Sequence, residues 1–240
     1  MKVVESVRFF TGREGRFWAM VLGAIVFSGL LAVASQFTAH DASSSERTST
    51  PQVSRSLFAG IAQDGAALGS AKAPLTLIEY ADLQCPYCAQ WARETLPVLV
   101  RDYVRTGRLR IVFRGLAFLG SDSSKALRAA HAAGEQNRLW DVVHGLYGRQ
   151  RGENSGWVSD HVLDEVAEHV DGLDVPRFRA ASAQGFEARI RDDVRAAEDA
   201  GVTGTPSFQL ALKGERPEML AITSLSPEGI VPTLDAWLAE

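Results

Sequence analysis

The apolar positions along the chain change their period several times, and each change marks an element. An uncharged stretch of 23 residues runs from Phe17 to Ala39, with Leu22, Ile25, Val26, Leu30 and Leu31 inside it and Lys2, Arg8, Arg13 and Arg16 ahead of it. At ~1.5 Å rise per residue such a stretch crosses ~30 Å of hydrocarbon, and the basic flank predicts that Met1 stays on the cytoplasmic side. Residues 41–56 are polar, rich in Ser and Thr and without periodicity, as a flexible spacer is. Leu75 to Ala81, after Pro74, is aliphatic and β-favouring and predicts a largely buried strand. Ala89, Ala92, Leu96, Leu99, Val100 and Tyr103 then recur at three- and four-residue spacing up to Gly107, predicting an amphipathic helix kinked at Pro97. Arg108 to Phe113 alternates polar with apolar and predicts a second strand. From Ser121 to Ala200 only helical patterns follow, among them Leu139, Trp140, Val143, Leu146 and Tyr147. Beyond Pro206 the texture returns to strand in Phe208 to Leu212, turns at Lys213-Gly214 and offers another strand around Leu220 to Ile222. Ser226-Pro227 then opens a final helix marked by Ile230, Leu234 and Leu238.

The order strand-helix-strand, helical block, strand-strand-helix predicts an α/β domain: a small mixed sheet with a helical subdomain inserted between its halves, the first crossover joining parallel strands. Its limits are residues 66–240, with the insertion at about 121–200, preceded by a linker over 41–65 and a membrane-targeting segment over 1–40. The 240 residues are 46% hydrophobic and 22% charged, enough apolar material for one real core. A net charge of -4 leaves no basic excess for nucleic acid. Two fates stand for the N-terminal segment. It is an uncleaved single-pass anchor, which its length favours, or a signal peptide cleaved after Ala32-Val33-Ala34; on either reading the bulk of the chain is exported.

Only two cysteines are present, both in Cys85-Pro86-Tyr87-Cys88. A four-cysteine zinc or iron-sulfur site fails by count, and none of the five histidines has the spacing of a zinc finger's second half. At a strand-to-helix junction the unpaired amides and dipole of the helix start favour a thiolate, which makes Cys85 the nucleophile and Cys88, one turn further in, the shielded partner. Pro86 suits the first helical position because it has no amide hydrogen to leave unpaired. Tyr87, between the sulfurs, either tunes the potential or is an ordinary exposed aromatic. Glu79 lies within the apolar strand; if buried, its pKa is raised and it can exchange protons with Cys88, and otherwise it faces solvent. Gly201 to Phe208 is a turn-rich run from helix into strand. His161, Glu165 and His169 share a helix face, but that helix is already amphipathic through Val158, Val162, Val166 and Val170, so they are its wet side. Glu187, Arg189, Arg191, Asp192, Asp193 and Arg195 likewise read as a solvated face, and Trp91 as packing.

Together, Ala73 to Cys88, Val112-Phe113-Arg114, Ala132 to Gln136 with Leu139-Trp140, and Gly204-Thr205-Pro206 resemble the DsbA-like branch of the thioredoxin superfamily, over about residues 66–240. The resemblance implies a thioredoxin-like fold with β-α-β and β-β-α halves, and thiol-disulfide oxidoreductase activity with the Cys85-Cys88 disulfide as redox group and no separate cofactor or metal. It implies Glu79 as the buried acid and Pro206 as a cis-proline facing the cysteines, with Thr205 offering backbone groups to an extended substrate peptide. The implied partners are exported proteins with cysteine thiols and a membrane protein that reoxidises the pair; a monomer is expected. A reductase serving cytochrome maturation or disulfide repair, and a non-enzymatic peptide-binding module, are the alternatives. Arg114 is followed by Gly115-Leu116-Ala117, where many such relatives have an acidic residue and a proline.

Overall fold

The computed structural model describes residues 56–183 and 185–239. The segment expected over 1–40 lies outside the described residues. Among the described residues six strands form one sheet: β1 (Gln63–Asp64), β2 (Ala67–Leu68), β3 (Leu75–Asp82), β4 (Leu109–Leu116), β5 (Ser207–Leu212) and β6 (Glu218–Leu220), in the order β1-β2-β4-β3-β5-β6. β3 and β4 are parallel, with Glu79 opposite Phe113, and all other neighbours are antiparallel. This is the expected α/β mixed sheet, with β3 flanked on both sides by long partners.

The linker expected over 41–65 ends sooner than residue 65. Phe58 is buried beside Trp140, and Gln63–Asp64 pairs with Ala67–Leu68 through a two-residue turn in which Gly65 has a φ of 56°. Strands of two residues carry no readable alternation, so the hairpin left no periodic signal.

The expected single kinked helix is divided. α1 (Pro86–Glu94) stops at Thr95, α2 (Leu96–Leu99) carries Pro97 in its first turn, where proline is tolerated, and a π-helical turn (Val100–Val104) follows. The helical insertion consists of α3 (Ser121–Gly134), α4 (Leu139–Tyr147), α5 (Asp160–Glu168), α6 (Val175–Ser182) and α7 (Glu187–Asp199). Ser159 and Asp174 accept the Val162 and Arg177 amides at 3.2 and 3.0 Å, capping α5 and α6. The last helix also starts later than expected. A 3-10 turn (Pro227–Gly229) precedes α8 (Val231–Trp237), because Pro232 suits only a first turn. One apolar core runs through the sheet and the insertion, including Trp91, Phe113, Trp140, Phe178 and Phe208.

Asp193 departs from the solvated face assigned to α7. Its side chain is 5% exposed, accepts from Arg114 Nη1 at 2.7 Å and from the Gly115 amide at 3.2 Å, and so ties α7 to the end of β4.

Candidate active site

β3 ends in Asp82, and a turn closed by the Cys85 amide on the Asp82 carbonyl at 3.0 Å delivers Cys85 to the N-cap of α1. Pro86 occupies the first helical position and Cys88 lies one turn in. Cys88 is fully buried and Cys85 is 5% exposed, while Pro86 and Tyr87 face solvent, Tyr87 at 62%. Both cysteines are free thiols here.

The two sulfurs have opposite electrostatics. A hydrogen bond from the Cys88 side chain is the main cause that lowers the Cys85 pKa from 9.0 to about 6, opposed by burial and helped by the Thr205 side chain and the Cys88 and Tyr87 amides. Burial first, then the neighbouring Cys85 and Glu79, push Cys88 well above the usual thiol range. Glu79 is 2% exposed, which removes the solvent-facing alternative. Desolvation raises its pKa from 4.5 to about 8, against a smaller lowering by a Trp91 hydrogen bond. Trp91 therefore does more than pack, although its ring also lies 4.3 Å from that of Phe208.

Across from α1, the Thr205-Pro206 peptide bond is cis. The Cys85 thiol donates to the Thr205 carbonyl at 3.3 Å. Glu79, Cys85, Cys88, Thr205 and Pro206 thus converge from β3, α1 and the loop entering β5. A thioredoxin family profile matches residues 62–217. The chain belongs to the thioredoxin superfamily. The probable disulfide bond formation protein D of Bacillus anthracis is 28% identical over 144 residues, 58% of this chain and 66% of that protein, so the match spans just under two thirds of the relative. The oxidised crystal structure of BdbD from Bacillus subtilis superposes with a TM-score of 0.64 at 19% identity, covering 75% of this chain and 98% of the other. Wolbachia pipientis alpha-DsbA1 gives 0.61 at 21%, covering 72% and 90%.

This thioredoxin-superfamily chain surrounds its cysteine turn with a polar network that the sequence reading passed over. Asp82 is fully buried and accepts from the Gln84 amide (2.8 Å), the Ser123 hydroxyl (2.5 Å) and the Phe118 and Leu119 amides (both 3.1 Å). The Gln84 side chain donates to Ser123 at 2.9 Å and accepts the Asn154 amide at 2.6 Å. Gln150 donates to the carbonyls of Leu83 at 3.0 Å and Cys85 at 3.1 Å. Tyr147 donates to the Asp82 carbonyl at 3.4 Å, and burial keeps its phenol protonated. The insertion therefore clamps the three residues before Cys85. The available signal was two polar residues, Asp82 and Gln84, at an otherwise apolar strand end. The stretch after Arg114, where the family pattern is not followed, is where Asp82 takes up Phe118 and Leu119. His161 and Glu165 lie on an exposed face of α5 away from these groups, and the described residues hold no cluster of three metal-ligating side chains.

Chemically, the arrangement offers a stabilised thiolate, a shielded thiol one turn away and a protonated carboxyl near it. That is the equipment of thiol-disulfide exchange.

Proposed function

We propose that this chain is a thiol-disulfide oxidoreductase working outside the cytoplasm as a disulfide oxidase of exported proteins, with Cys85 and Cys88 as its redox pair and no other cofactor. The contrast between the two sulfurs carries this reading. With a pKa of about 6, Cys85 is roughly nine-tenths thiolate at pH 7, where a thiol at 9.0 is roughly one-hundredth ionised. A thiolate stabilised in the dithiol state lowers the energy of the reduced protein and makes its disulfide oxidising.

In the oxidised form a substrate thiolate attacks Cys85 Sγ. The substrate-Cys85 bond forms as the Cys85-Cys88 bond breaks, and the electron pair leaves on Cys88, which takes up a proton. Glu79 holds its proton to about pH 8 and is electrostatically coupled to Cys88, which fits it to supply that proton. A second substrate thiolate then attacks the substrate sulfur, the substrate disulfide forms, and Cys85 departs as the stabilised thiolate. Two electrons have passed from substrate to enzyme, and a membrane redox partner takes them on. Thr205 and Pro206 line the approach to Cys85, and residues 1–40 hold the domain at the membrane.

The test is the reduction potential of the full chain, equilibrated against glutathione and read by alkylating free thiols. A value near about -120 mV is expected; one near about -270 mV would overturn the oxidase in favour of a reductase.

A further inference from the structure

The loop after α4 reaches back to the cysteine turn through one side chain that the exchange chemistry above leaves without a role. Gln150 Nε2 carries two hydrogens and uses both there, donating to the Leu83 carbonyl at 3.0 Å and to the Cys85 carbonyl at 3.1 Å. Its surroundings are tied to the same turn. Tyr147 closes α4, and its phenol donates to the Asp82 carbonyl at 3.4 Å, the oxygen that also takes the Cys85 amide at 3.0 Å. Asn154, in the same loop, gives its amide to the Gln84 side chain at 2.6 Å. Gln150 is thus delivered by a segment already fixed to the turn on either side of it.

Among the described residues the Leu83 carbonyl has no other donor, and Leu83 is buried, so this oxygen depends on Gln150. The Cys85 carbonyl also takes the Ala89 amide at 3.1 Å, the first bond of α1, so both of its lone pairs are occupied. That oxygen belongs to the residue whose sulfur becomes an anion, and it carries a partial negative charge of its own. Two donors draw this charge away from the sulfur. They also pin Cys85 at a ψ of 120°, the torsion that places Sγ relative to the start of α1. The Cys85 side chain makes no capping hydrogen bond of its own, and the Tyr87 and Cys88 amides are left to favour its thiolate. Their aim at the sulfur depends on the turn that Gln150 holds.

We propose that Gln150 is a positioning residue for thiol-disulfide exchange: from the helical insertion it orients and neutralises the Cys85 carbonyl, so that the redox site is complete only when sheet and insertion have come together. The proposal rests on the redox reading above and adds to it the group that makes Cys85 a good leaving group. In the second step of exchange a substrate thiolate attacks the substrate sulfur of the mixed disulfide. The bond from that sulfur to Cys85 breaks, its electron pair departs on Cys85, and a better stabilised thiolate departs faster. Gln150 makes its bonds to carbonyls and not to sulfur, and so acts through the Cys85 backbone. Lysine, which reaches as far and only donates, should serve at this position as well; asparagine, one methylene shorter, should not.

The experiment follows the rate of thiol alkylation against pH in the reduced full chain and in its Gln150→Ala, Gln150→Asn and Gln150→Lys variants. The chain has only two cysteines, and Cys88 is fully buried and ionises far above Cys85, so the alkylation midpoint belongs to Cys85. Gln150→Ala and Gln150→Asn are each expected to raise the midpoint by about one unit, which slows alkylation near pH 6 about fivefold. Gln150→Lys should keep the midpoint of the parent or lower it, and release of a substrate from the mixed disulfide should slow in Ala and Asn but not in Lys. The urea midpoint of the oxidised forms reports stability separately. Ala and Asn midpoints equal to that of the parent, or a Lys midpoint raised as far as that of Ala, would overturn the proposal and leave Gln150 a structural tie, with the redox reading standing. If Gln150→Ala does not fold, Asn against Lys decides in the same way, because position 150 is only half-buried and takes either side chain. A parent whose midpoint lies in the ordinary thiol range would instead overturn the redox reading, and the proposal with it.

Discussion

Glu79 concentrates the cost of the site in one side chain. The unfolded chain ionises this carboxyl above pH 4.5, while the folded protein holds its proton to about pH 8. The native state therefore binds more protons across that window, and stability falls as pH rises through it. Glu79→Gln keeps the shape and removes the titration. Urea unfolding should find the variant more stable than the parent by roughly 3 kcal/mol at pH 7, at ~1.4 kcal/mol for each unit above 4.5, and little different at pH 4. A gap of the same size at both pH values would show that packing, not the proton, is responsible. The same substitution should slow exchange at Cys88, because a neutral amide cannot deliver a proton.

Among the elements, β4 carries the tightest fit. A Cβ on Gly115 would stand 2.1 Å from Leu127 Cδ1 and 3.0 Å from Phe113 Cε1, and the Gly115 amide already donates to Asp193. Leu127 on α3 is buried, so it cannot swing into solvent to make room. Gly115→Ala is expected to cost about 2 kcal/mol in urea unfolding through overpacking, with Gly152→Ala, where nothing stands within 4 Å, as the neutral control. The closeness of β4 to α3 also accounts for glycine at 115, where a larger residue would meet Leu127.

At the scale of the whole molecule, the insertion and the sheet share one core and meet at Asp82. That single carboxylate joins the end of β3 to α3 and to the loop after β4, and it takes four hydrogen bonds in a place without solvent. Asp82→Ala strands three amides and a hydroxyl, and should lower stability by about 3 kcal/mol or more, as measured by the urea midpoint in both redox states. Asp82→Asn, which keeps one oxygen, should lose less. Equal loss in the two variants would show that both carboxylate oxygens are needed as acceptors and that keeping the shape alone recovers nothing.

Much of this protein was legible in its sequence because period, turn chemistry and helix-start signals are local. β3, the helical insertion, β5 and the placement of Cys85 and Cys88 at a strand-to-helix junction all follow from neighbours within a few residues of one another. The break at Thr95, the hairpin at Gly65 and the late start of α8 escaped because their elements are too short to show a period. Burial and partner choice belong to the tertiary structure. Whether Glu79 faced water, where Asp193 turned and what held the cysteine turn depended on segments brought together from afar: Asp82 to Ser123 across 41 positions, Arg114 to Asp193 across 79, Cys85 to Thr205 across 120. A one-dimensional pattern records which residues prefer to be hidden. Which polar groups are hidden with them, and therefore which pKa values move, is decided only when the chain closes on itself and takes water away.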